Sequence, residues 1–277
     1  FMNKEPFISI ILCTYNGGEK ISECLRTLSE QGYPQDKYEI IVVDDASVDN
    51  TPEIVAGFPV KLIRHSFNQG AYGSRNTGMR VAIGEIVVFV DDDCYYYKDW
   101  LTKLIEPYHQ EGVVAVGCLT LASSNKYLTE KYMAETGYGN PSPKGYSKSD
   151  NPLYRFFVYL QEMLRRPDAL LKGYPIEVAA IYANSSFKKD VLEKLGGWDA
   201  ELRYGGDSEM CMRINKEGVG KIMFTSTSKV LHKHATSFLS FLKGTYKRSI
   251  NRYLVYKKYK MFPPIFPFPI VVIVSIV

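Results

Sequence analysis

The feature that most constrains the fold of this chain is a buried strand that ends in three acidic residues. Ile86–Val90 is an uninterrupted apolar run, and Asp91, Asp92 and Asp93 follow it directly. Adjacent carboxylates repel one another, and burying even one without a partner costs several kcal/mol. A hard divalent cation such as Mg²⁺ or Mn²⁺ relieves this repulsion, because it prefers oxygen ligands and usually arrives with substrate phosphates. The stretch therefore predicts a metal site at the end of a strand.

A second strand with acidic residues at its end precedes this one. Glu39–Val43 runs directly into Asp44 and Asp45. In an open α/β sheet, ligands bind outside the carboxyl ends of the strands, where such side chains meet. Capping of the following helices would explain one Asp at each place but not all five. The two strand ends together predict a site for a nucleotide and a metal.

Apolar runs and helical patterns alternate along the first part of the chain. Strands are predicted at Phe7–Cys13, Tyr38–Val43, Val60–Arg64, Ile86–Val90 and Val113–Cys118, and helices at Glu19–Gln31, Asp49–Ala56, Ala71–Ile83 and Asp99–Glu111. This alternation predicts an α/β fold, a mostly parallel twisted sheet of Rossmann-like type with helices on both faces. The glycine patterns of dinucleotide-binding and P-loop proteins are absent from the sequence, which removes the support for those two classes.

The regular alternation stops between Thr120 and Pro175, a polar stretch of the kind that forms lids and binding loops. It resumes further along the chain. A strand is predicted at Val178–Ala183, helices at Lys189–Leu195 and Ser208–Glu217, and strands at Lys221–Phe224 and Lys229–His232. We expect this irregular stretch to form part of a binding surface.

The charge of the chain is unevenly distributed. Residues 218–277 hold ten of the 34 Lys and Arg residues and none of the 30 Asp and Glu residues. Apolar residues recur there every four positions, at Phe238, Leu242, Tyr246, Ile250 and Leu254. An apolar helical face surrounded by basic residues is typical of a helix that lies on anionic lipid. Such a helix could instead pack against the core of its own domain.

The tail divides the chain into three predicted parts. Residues 1–235 form the catalytic domain, residues 236–260 the basic amphipathic helix, and residues 261–277 a membrane-embedded segment. Residues 261–277 carry no charge, and we expect a transmembrane helix to begin at Ile270, after four prolines. The basic flank would keep the catalytic domain at the cytoplasmic face of the cell membrane. The five cysteines form no C-x-x-C pair, which fits a reducing compartment.

Four segments, in order along the chain, resemble the family 2 glycosyltransferases, inverting enzymes of the GT-A fold. They read SIILCTYNGGEKISECLRTL, EIIVVDDASVDNT, NQGAYGSRNTGMRVAIGEIVVFVDDDC and LGGWDAELRYGGDSEMCMRINKEG. The resemblance covers residues 6–235. One position departs from the family pattern, because the usual Glu-Asp pair reads Gly206-Asp207 here.

The resemblance implies roles for particular residues on the donor side. Asp93 would be a direct ligand of Mn²⁺ or Mg²⁺, with Asp91 and Asp92 near the ribose or the metal. Alternate residues of an extended strand share a face, so Asp91 and Asp93 could point together. His232 would complete the metal site, although a lone His is as often structural. Arg75 would reach the diphosphate of the donor, and an exposed helical Arg is the alternative.

Further roles implied by the resemblance concern the nucleotide base and the acceptor. Asp45 would read the base of the donor, uracil most of all, together with Thr14, Tyr15 and Asn16. Helix capping by Thr14 and Asn16 is the alternative to that role. Asp207 would be the general base that takes a proton from the acceptor hydroxyl, since an inverting displacement needs one carboxylate.

The sequence thus predicts a metal-dependent inverting glycosyltransferase. It would move a sugar from a nucleotide-diphosphate donor, a UDP-sugar above all, to a lipid-linked saccharide or cell-envelope polysaccharide. Its partners would be donor, acceptor and membrane, and not nucleic acid. Two alternatives remain at this point: a sugar-phosphate nucleotidyltransferase, which would release pyrophosphate, and a catalytically inactive membrane-bound protein that binds nucleotide sugars.

Overall fold

A computed structural model shows how these elements assemble. It describes residues 5–124, 126–127, 175–178 and 180–233, together with Leu239, Lys243, Gly244, Tyr246, Lys247, Val255 and Lys258. The described strands are β1 (Ile8–Thr14), β2 (Tyr38–Asp44), β3 (Lys61–Arg64), β4 (Ile86–Asp91), β5 (Cys94–Tyr96), β6 (Val113–Ala122), β7 (Ile176–Glu177), β8 (Ser185–Lys188) and β9 (Lys221–His232). The helices are α1 (Glu19–Ser29), α2 (Thr51–Ala56), α3 (Gly70–Val81), α4 (Trp100–Ile105), α5 (Lys189–Lys194) and α6 (Gly206–Glu217).

The strands form one sheet in the order β3-β2-β1-β4-β8-β6-β9-β5, with β7 paired to β9. The first half is parallel, so β1, β2 and β4 end at the same edge. Their register pairs Thr14 with Asp44 and Cys13 with Asp91. The acidic ends of β2 and β4 therefore flank the end of β1, as the sequence predicted.

The second half of the sheet contains the antiparallel strands. β8 runs antiparallel between β4 and β6, whereas the long strand β9 lies parallel to β6. β9 also pairs with the short strand β5, and this register places Cys94 opposite His232. The end of β9 is thereby brought next to the acidic turn that joins β4 to β5.

Helices cover both faces of the sheet and close two hydrophobic clusters. One face packs against α1, α2 and α4 and includes Leu25 and Trp100, both fully buried. The other packs against α3, α5 and α6 and includes Phe89, Phe187 and Trp198. Each fully buried Leu or Phe side chain contributes about 1.5–3 kcal/mol relative to an exposed one. These three layers confirm the predicted α/β architecture.

Several predicted elements differ from the structure for identifiable reasons. The strand predicted at Val178–Ala183 is wrong: pairing occurs at β7 and β8 instead, and Asn184 between them has a positive φ of 59°. The two strands predicted at Lys221–Phe224 and Lys229–His232 are one strand, whose pairing with β6 shifts register between Cys118 and Leu119. The helix predicted at Asp99–Glu111 changes to a 3-10 turn at Glu106–His109, which contains Pro107. β5 was not predicted.

The tail is described only at isolated residues, all of them helical. Within that described part of the chain, no helix combines the length and apolarity needed to cross a bilayer. Among the residues of the predicted apolar stripe, the structure describes Tyr246, which is 57% exposed. Leu239, which precedes it in the tail, is 61% exposed. Val255, in contrast, is buried in the hydrophobic cluster beside α6. The other stripe residues and the segment 261–277 lie outside the described residues.

Candidate active site

The acidic turn after β4 and the end of β9 form a cluster of groups able to hold a metal ion. One ligand atom each of Asp91, Asp93, Cys94 and His232 lies within 4.8 Å of all the others. The His232 Nε2 atom lies 3.0 Å from Asp93 Oδ1. Asp92 is engaged elsewhere, accepting a hydrogen bond of 2.6 Å from the Thr14 hydroxyl. Asp91 and Asp93 thus face one cluster while Asp92 contacts the end of β1.

The three carboxyl groups experience different electrostatic surroundings. Burial raises the pKa of Asp91 to about 6, although the nearby charge of Arg75 opposes this rise. Burial also raises the pKa of Asp92, against the hydrogen bond from Thr14. Burial acts in the same direction on Asp93, but the hydrogen bond and charge of His232 outweigh it, so the pKa of Asp93 is lowered. Asp93 is the member of the turn best prepared to remain ionised.

The chemistry of this cluster fits a hard divalent cation. Two carboxylates and an imidazole are suitable ligands for Mn²⁺, and the carboxylates for Mg²⁺. The Cys94 thiol suits such a cation poorly, because sulfur is a soft ligand, and its Sγ atom already accepts a hydrogen bond from Asn184 Nδ2 at 3.3 Å. Asp91, Asp93 and His232 are therefore the residues that would hold the ion.

A buried asparagine supports the acidic turn from below, and the sequence did not single it out. Asn184 is 1% exposed, and its Oδ1 atom accepts hydrogen bonds from the Tyr96 hydroxyl at 2.6 Å and the Asp91 N–H at 3.3 Å. Its Nδ2 atom donates to Cys94 Sγ at 3.3 Å. The positive φ of Asn184, in a region that Asn tolerates better than most residues, directs the side chain to the turn. No sequence pattern indicates this role of Asn184, because it depends on the conformation of the backbone.

The residues predicted to surround the nucleotide base lie at the ends of β1 and β2. Tyr15 is 51% exposed and so available for stacking. Asn16 has a positive φ of 53°, and its Oδ1 atom accepts the Val48 N–H at 2.9 Å. Asn16 thereby joins the loop after β1 to the loop after β2. It caps no helix, since α1 has Gly18 at its N-cap position and no side-chain cap.

Asp45 is almost completely buried and has several partners within the chain. Its Oδ1 atom accepts the Gln69 N–H at 2.8 Å and lies 2.8 Å from His65 Nδ1. Its Oδ2 atom accepts the Gly70 N–H at 2.8 Å. Asp45 therefore holds the first turn of α3, a role that the motif alone does not reveal. Each carboxylate oxygen of Asp45 therefore already accepts a backbone N–H of the chain.

Arg75 and Asp207 are brought together by α3 and α6. The Arg75 Nη1 atom lies 2.5 Å from Asp207 Oδ1, and its Nη2 atom lies 3.8 Å from Asp91 Oδ1. Asp207 stands in the first turn of α6, after Gly205 in the left-handed conformation. The Arg75 guanidinium group therefore contacts the candidate base Asp207 and also lies near Asp91.

The glycine at position 206 is explained by its contact with Tyr72. A Cβ atom at Gly206 would lie 2.5 Å from two carbons of the Tyr72 ring. That ring is buried and stacks on Trp198, with ring centroids 5.6 Å apart, so it has little room to move. The Tyr72 hydroxyl accepts the Gly206 N–H at 2.7 Å. Tyr72 therefore occupies the space that the family's usual glutamate would need.

We expect Gly206→Glu to lower the free energy of unfolding by at least about 1–3 kcal/mol, because it overpacks a buried contact. In a Tyr72→Ala background, the added cost of Gly206→Glu should be smaller, with a coupling of about 0.5–3 kcal/mol. Urea denaturation of the four proteins measures this cycle. Gly57→Ala, whose Cβ would meet only the Ile54 carbonyl oxygen at 3.3 Å, is the control. If Gly206→Glu lowers the free energy of unfolding equally in both backgrounds, its contact with Tyr72 is not the cause.

Comparison with known structures assigns the fold to a class. A mannosyltransferase from Pyrobaculum calidifontis, PcManGT, in complex with GDP-Man and Mn²⁺, superposes with a TM-score of 0.67 at 23% identity, covering 95% of this chain and 68% of that one. S. aureus TarS 1–349 in complex with UDP-GlcNAc gives a TM-score of 0.56 at 21% identity over 83% of this chain and 59% of that one. At these identities the likeness shows a shared fold, and it is the predicted GT-A-like one.

The family follows from the sequence itself. The family model described as Glycosyl transferase family 2 matches residues 9–196, so the chain belongs to this family. Glycosyltransferase AglE of Haloferax volcanii is 38% identical over 117 residues, which are 40% of this chain and 38% of that protein. The matched part thus spans less than half of this relative. The predicted family and enzyme class are confirmed.

Proposed function

We propose that this chain is a metal-dependent inverting glycosyltransferase that uses a nucleoside-diphosphate sugar and transfers the sugar to a hydroxyl group. The observation that carries the proposal is the convergence of Asp91, Asp93 and His232 within 4.8 Å, next to a guanidinium group that contacts Asp207. The paired carboxylates of glycoside hydrolases are not needed for this reaction. One general base and a stabilised leaving group suffice.

The residues of the chain divide the reaction between them. Asp207 takes the proton of the acceptor hydroxyl while the oxygen of that hydroxyl forms a bond to the anomeric carbon. The bond from that carbon to the phosphate oxygen breaks, and its electron pair leaves with the nucleoside diphosphate. A divalent ion held by Asp91, Asp93 and His232 would neutralise the charge that develops on the diphosphate. Tyr15 and Asp45 line the region where the base would bind.

UDP is the nucleotide that we infer for the donor. A carboxylate oxygen can accept two hydrogen bonds, so Asp45 Oδ2, which accepts the Gly70 N–H, could also accept the ring N–H of uracil. The exposed Tyr15 ring could stack on the same base. S. aureus TarS, in the structure above, binds UDP-GlcNAc, whereas PcManGT binds GDP-Man. A lipid-linked saccharide or a cell-envelope polysaccharide is the proposed acceptor.

A thermal-shift panel tests the proposed function. UDP, GDP, dTDP and the corresponding monophosphates are each added with and without Mn²⁺, since a ligand of the native state raises the apparent stability. We expect one diphosphate, UDP first, to raise Tm by several degrees only when Mn²⁺ is present. No shift with any diphosphate, or equal shifts without Mn²⁺, would contradict a metal-dependent nucleotide site.

We further propose that the tail brings the enzyme to the cytoplasmic face of the membrane. Leu239, Lys243, Tyr246 and Lys247 are helical and exposed, and their spacing is that of residues on one face of a helix. An exposed face that mixes apolar and basic residues complements an anionic bilayer surface. Val255 and Lys258, further along, contact the catalytic domain instead. The proposal therefore concerns the first part of the tail.

Reversing the charge of this face should weaken membrane binding. Each Lys near an anionic leaflet contributes about 1 kcal/mol, so Lys243→Glu with Lys247→Glu should lower binding to phosphatidylserine vesicles at least about tenfold. Vesicle sedimentation at low salt measures the effect, and binding by the unaltered protein should fall as salt rises. The control pair Lys61→Glu and Lys216→Glu changes the net charge equally at exposed positions on the domain. If both pairs weaken binding alike, the tail face is not the contact.

A further inference from the structure

Arg75 is enclosed by aromatic rings as well as by carboxylates. Its side chain is 8% exposed, and its Cζ atom lies 4.9 Å from the ring centroid of Trp198, 5.3 Å from Tyr72 and 5.5 Å from Phe89. A guanidinium group remains charged under all ordinary conditions and stacks well on such rings. Three rings from α3, β4 and the loop before α6 therefore surround the guanidinium group.

The Arg75 guanidinium group already lies close to two carboxylates of the chain. Asp207 Oδ1 lies 2.5 Å from Nη1 and Asp91 Oδ1 lies 3.8 Å from Nη2. Asp207 is the nearer partner, and a charge-assisted hydrogen bond of this kind is strongly directional. Arg75 thus lies between the candidate base at the start of α6 and the acidic end of β4.

Helix α3, which carries Arg75, contacts the first turn of α6 through a second residue. Tyr72 and Arg75 are three residues apart on α3, so they lie on one face of the helix. The Tyr72 hydroxyl accepts the Gly206 N–H, and Arg75 donates to the side chain of the next residue, Asp207. α6 has no side-chain N-cap of its own. Its first turn is therefore oriented by α3.

We propose that Arg75 is the positioning residue for the base Asp207 and not a ligand of the donor's diphosphate. This inference rests on the proposed function. Arg75 stays on Asp207 Oδ1 and directs the other oxygen, Oδ2, to the acceptor hydroxyl, from which Oδ2 takes the proton. An error of about 1 Å in the placement of such a group can cost about 10²-fold in rate. The affinity for nucleoside diphosphate does not depend on this contact.

Two measurements separate positioning from phosphate binding. The affinity for UDP with Mn²⁺ is measured by calorimetry, and turnover is measured as UDP-sugar hydrolysis, in which water replaces the acceptor. Arg75→Met should lower turnover about 10²-fold and change the UDP dissociation constant less than about threefold. Arg75→Lys, which keeps the charge but loses the fork, should retain more activity than Arg75→Met. Combining Arg75→Met with Asp207→Asn should slow turnover no further than Asp207→Asn alone, because the two residues act as a unit.

Arg213→Lys is the matched control. Arg213 lies on α6, pairs with the buried Glu209 and donates to the carbonyl groups of Leu195 and Gly197. The substitution Arg213→Lys removes a guanidinium group that forms an ion pair within α6. It should leave turnover within about threefold of the unaltered protein. A loss of turnover as large as that of Arg75→Met would overturn the assignment to Arg75.

Other results would overturn the proposal as clearly. A tenfold weaker UDP affinity in Arg75→Met would make Arg75 a diphosphate ligand, and unchanged turnover or an additive double variant would remove its link to Asp207. If Arg75→Met does not fold, the same criteria apply to Arg75→Lys. Failure of the proposed function is distinct, because the unaltered protein would then neither bind UDP with Mn²⁺ nor hydrolyse a UDP-sugar.

Discussion

Asp93→Ala is expected to abolish metal-dependent nucleotide binding while leaving the fold intact. Asp93 is the acid of the turn whose pKa is lowered, and it contacts His232 at 3.0 Å. Changes to outer partners of metal ligands already cost about 10–100-fold in metal affinity, so loss of a direct ligand should cost more than about 100-fold. The fold should survive, because the contribution of Asp93 to the β-structure is its backbone carbonyl, which accepts the Lys233 N–H.

Calorimetry of UDP binding with Mn²⁺ measures this effect, and circular dichroism checks the fold. Asp36→Ala removes an exposed carboxylate distant in sequence and provides the control. Unchanged Mn²⁺-dependent affinity in Asp93→Ala would show that Asp93 is not a ligand. The same affinity loss in Asp36→Ala would indicate a general effect of charge instead.

Asp207→Asn should separate catalysis from binding. Asparagine keeps the shape of the side chain and an oxygen for Arg75, but it cannot accept a proton at neutral pH. Turnover should therefore fall at least about 10²-fold, with donor affinity little changed. Steady-state rates with a UDP-sugar, together with calorimetry of UDP, measure the two quantities.

A matched substitution makes this result specific to the base. Glu209→Gln alters another carboxylate of α6, which is buried and paired with Arg213. It should lower stability more than turnover, because breaking a buried ion pair costs several kcal/mol. Near-normal turnover of Asp207→Asn in UDP-sugar hydrolysis would mean that another residue takes the proton.

The sequence was informative where structure follows from local pattern. Apolar runs that end in acids predicted β2, β4 and the edge of the sheet where the site lies, because parallel strands end together. Asp92 contacts Thr14 and stands apart from Asp91 and Asp93, but Asp92 and Asp93 lie in the turn after β4, so the alternation of an extended strand does not explain this arrangement. The pairing of Cys94 with His232, which carries the histidine to this turn, depends on the strand β5, too short for its pattern to reveal.

Contacts between distant segments account for what the sequence did not reveal. Arg75 belongs to a motif associated with the donor, yet α3 points it to Asp207, 132 residues away in the chain. The support of the acidic turn by Asn184 depends on one left-handed backbone position. Gly206 was seen as a missing glutamate, and only packing shows that Tyr72 fills its place. Long-range packing of this kind leaves no periodic signal in the sequence.

The products of the reaction distinguish a glycosyltransferase from the alternatives. The protein is incubated with UDP-sugars and Mn²⁺, and the released nucleotide is identified by chromatography. We expect UDP, formed only with a divalent ion and at rates that Asp93→Ala and Asp207→Asn each reduce at least about 10²-fold. Release of UMP or pyrophosphate, or UDP formation that neither substitution affects, would contradict the proposed function.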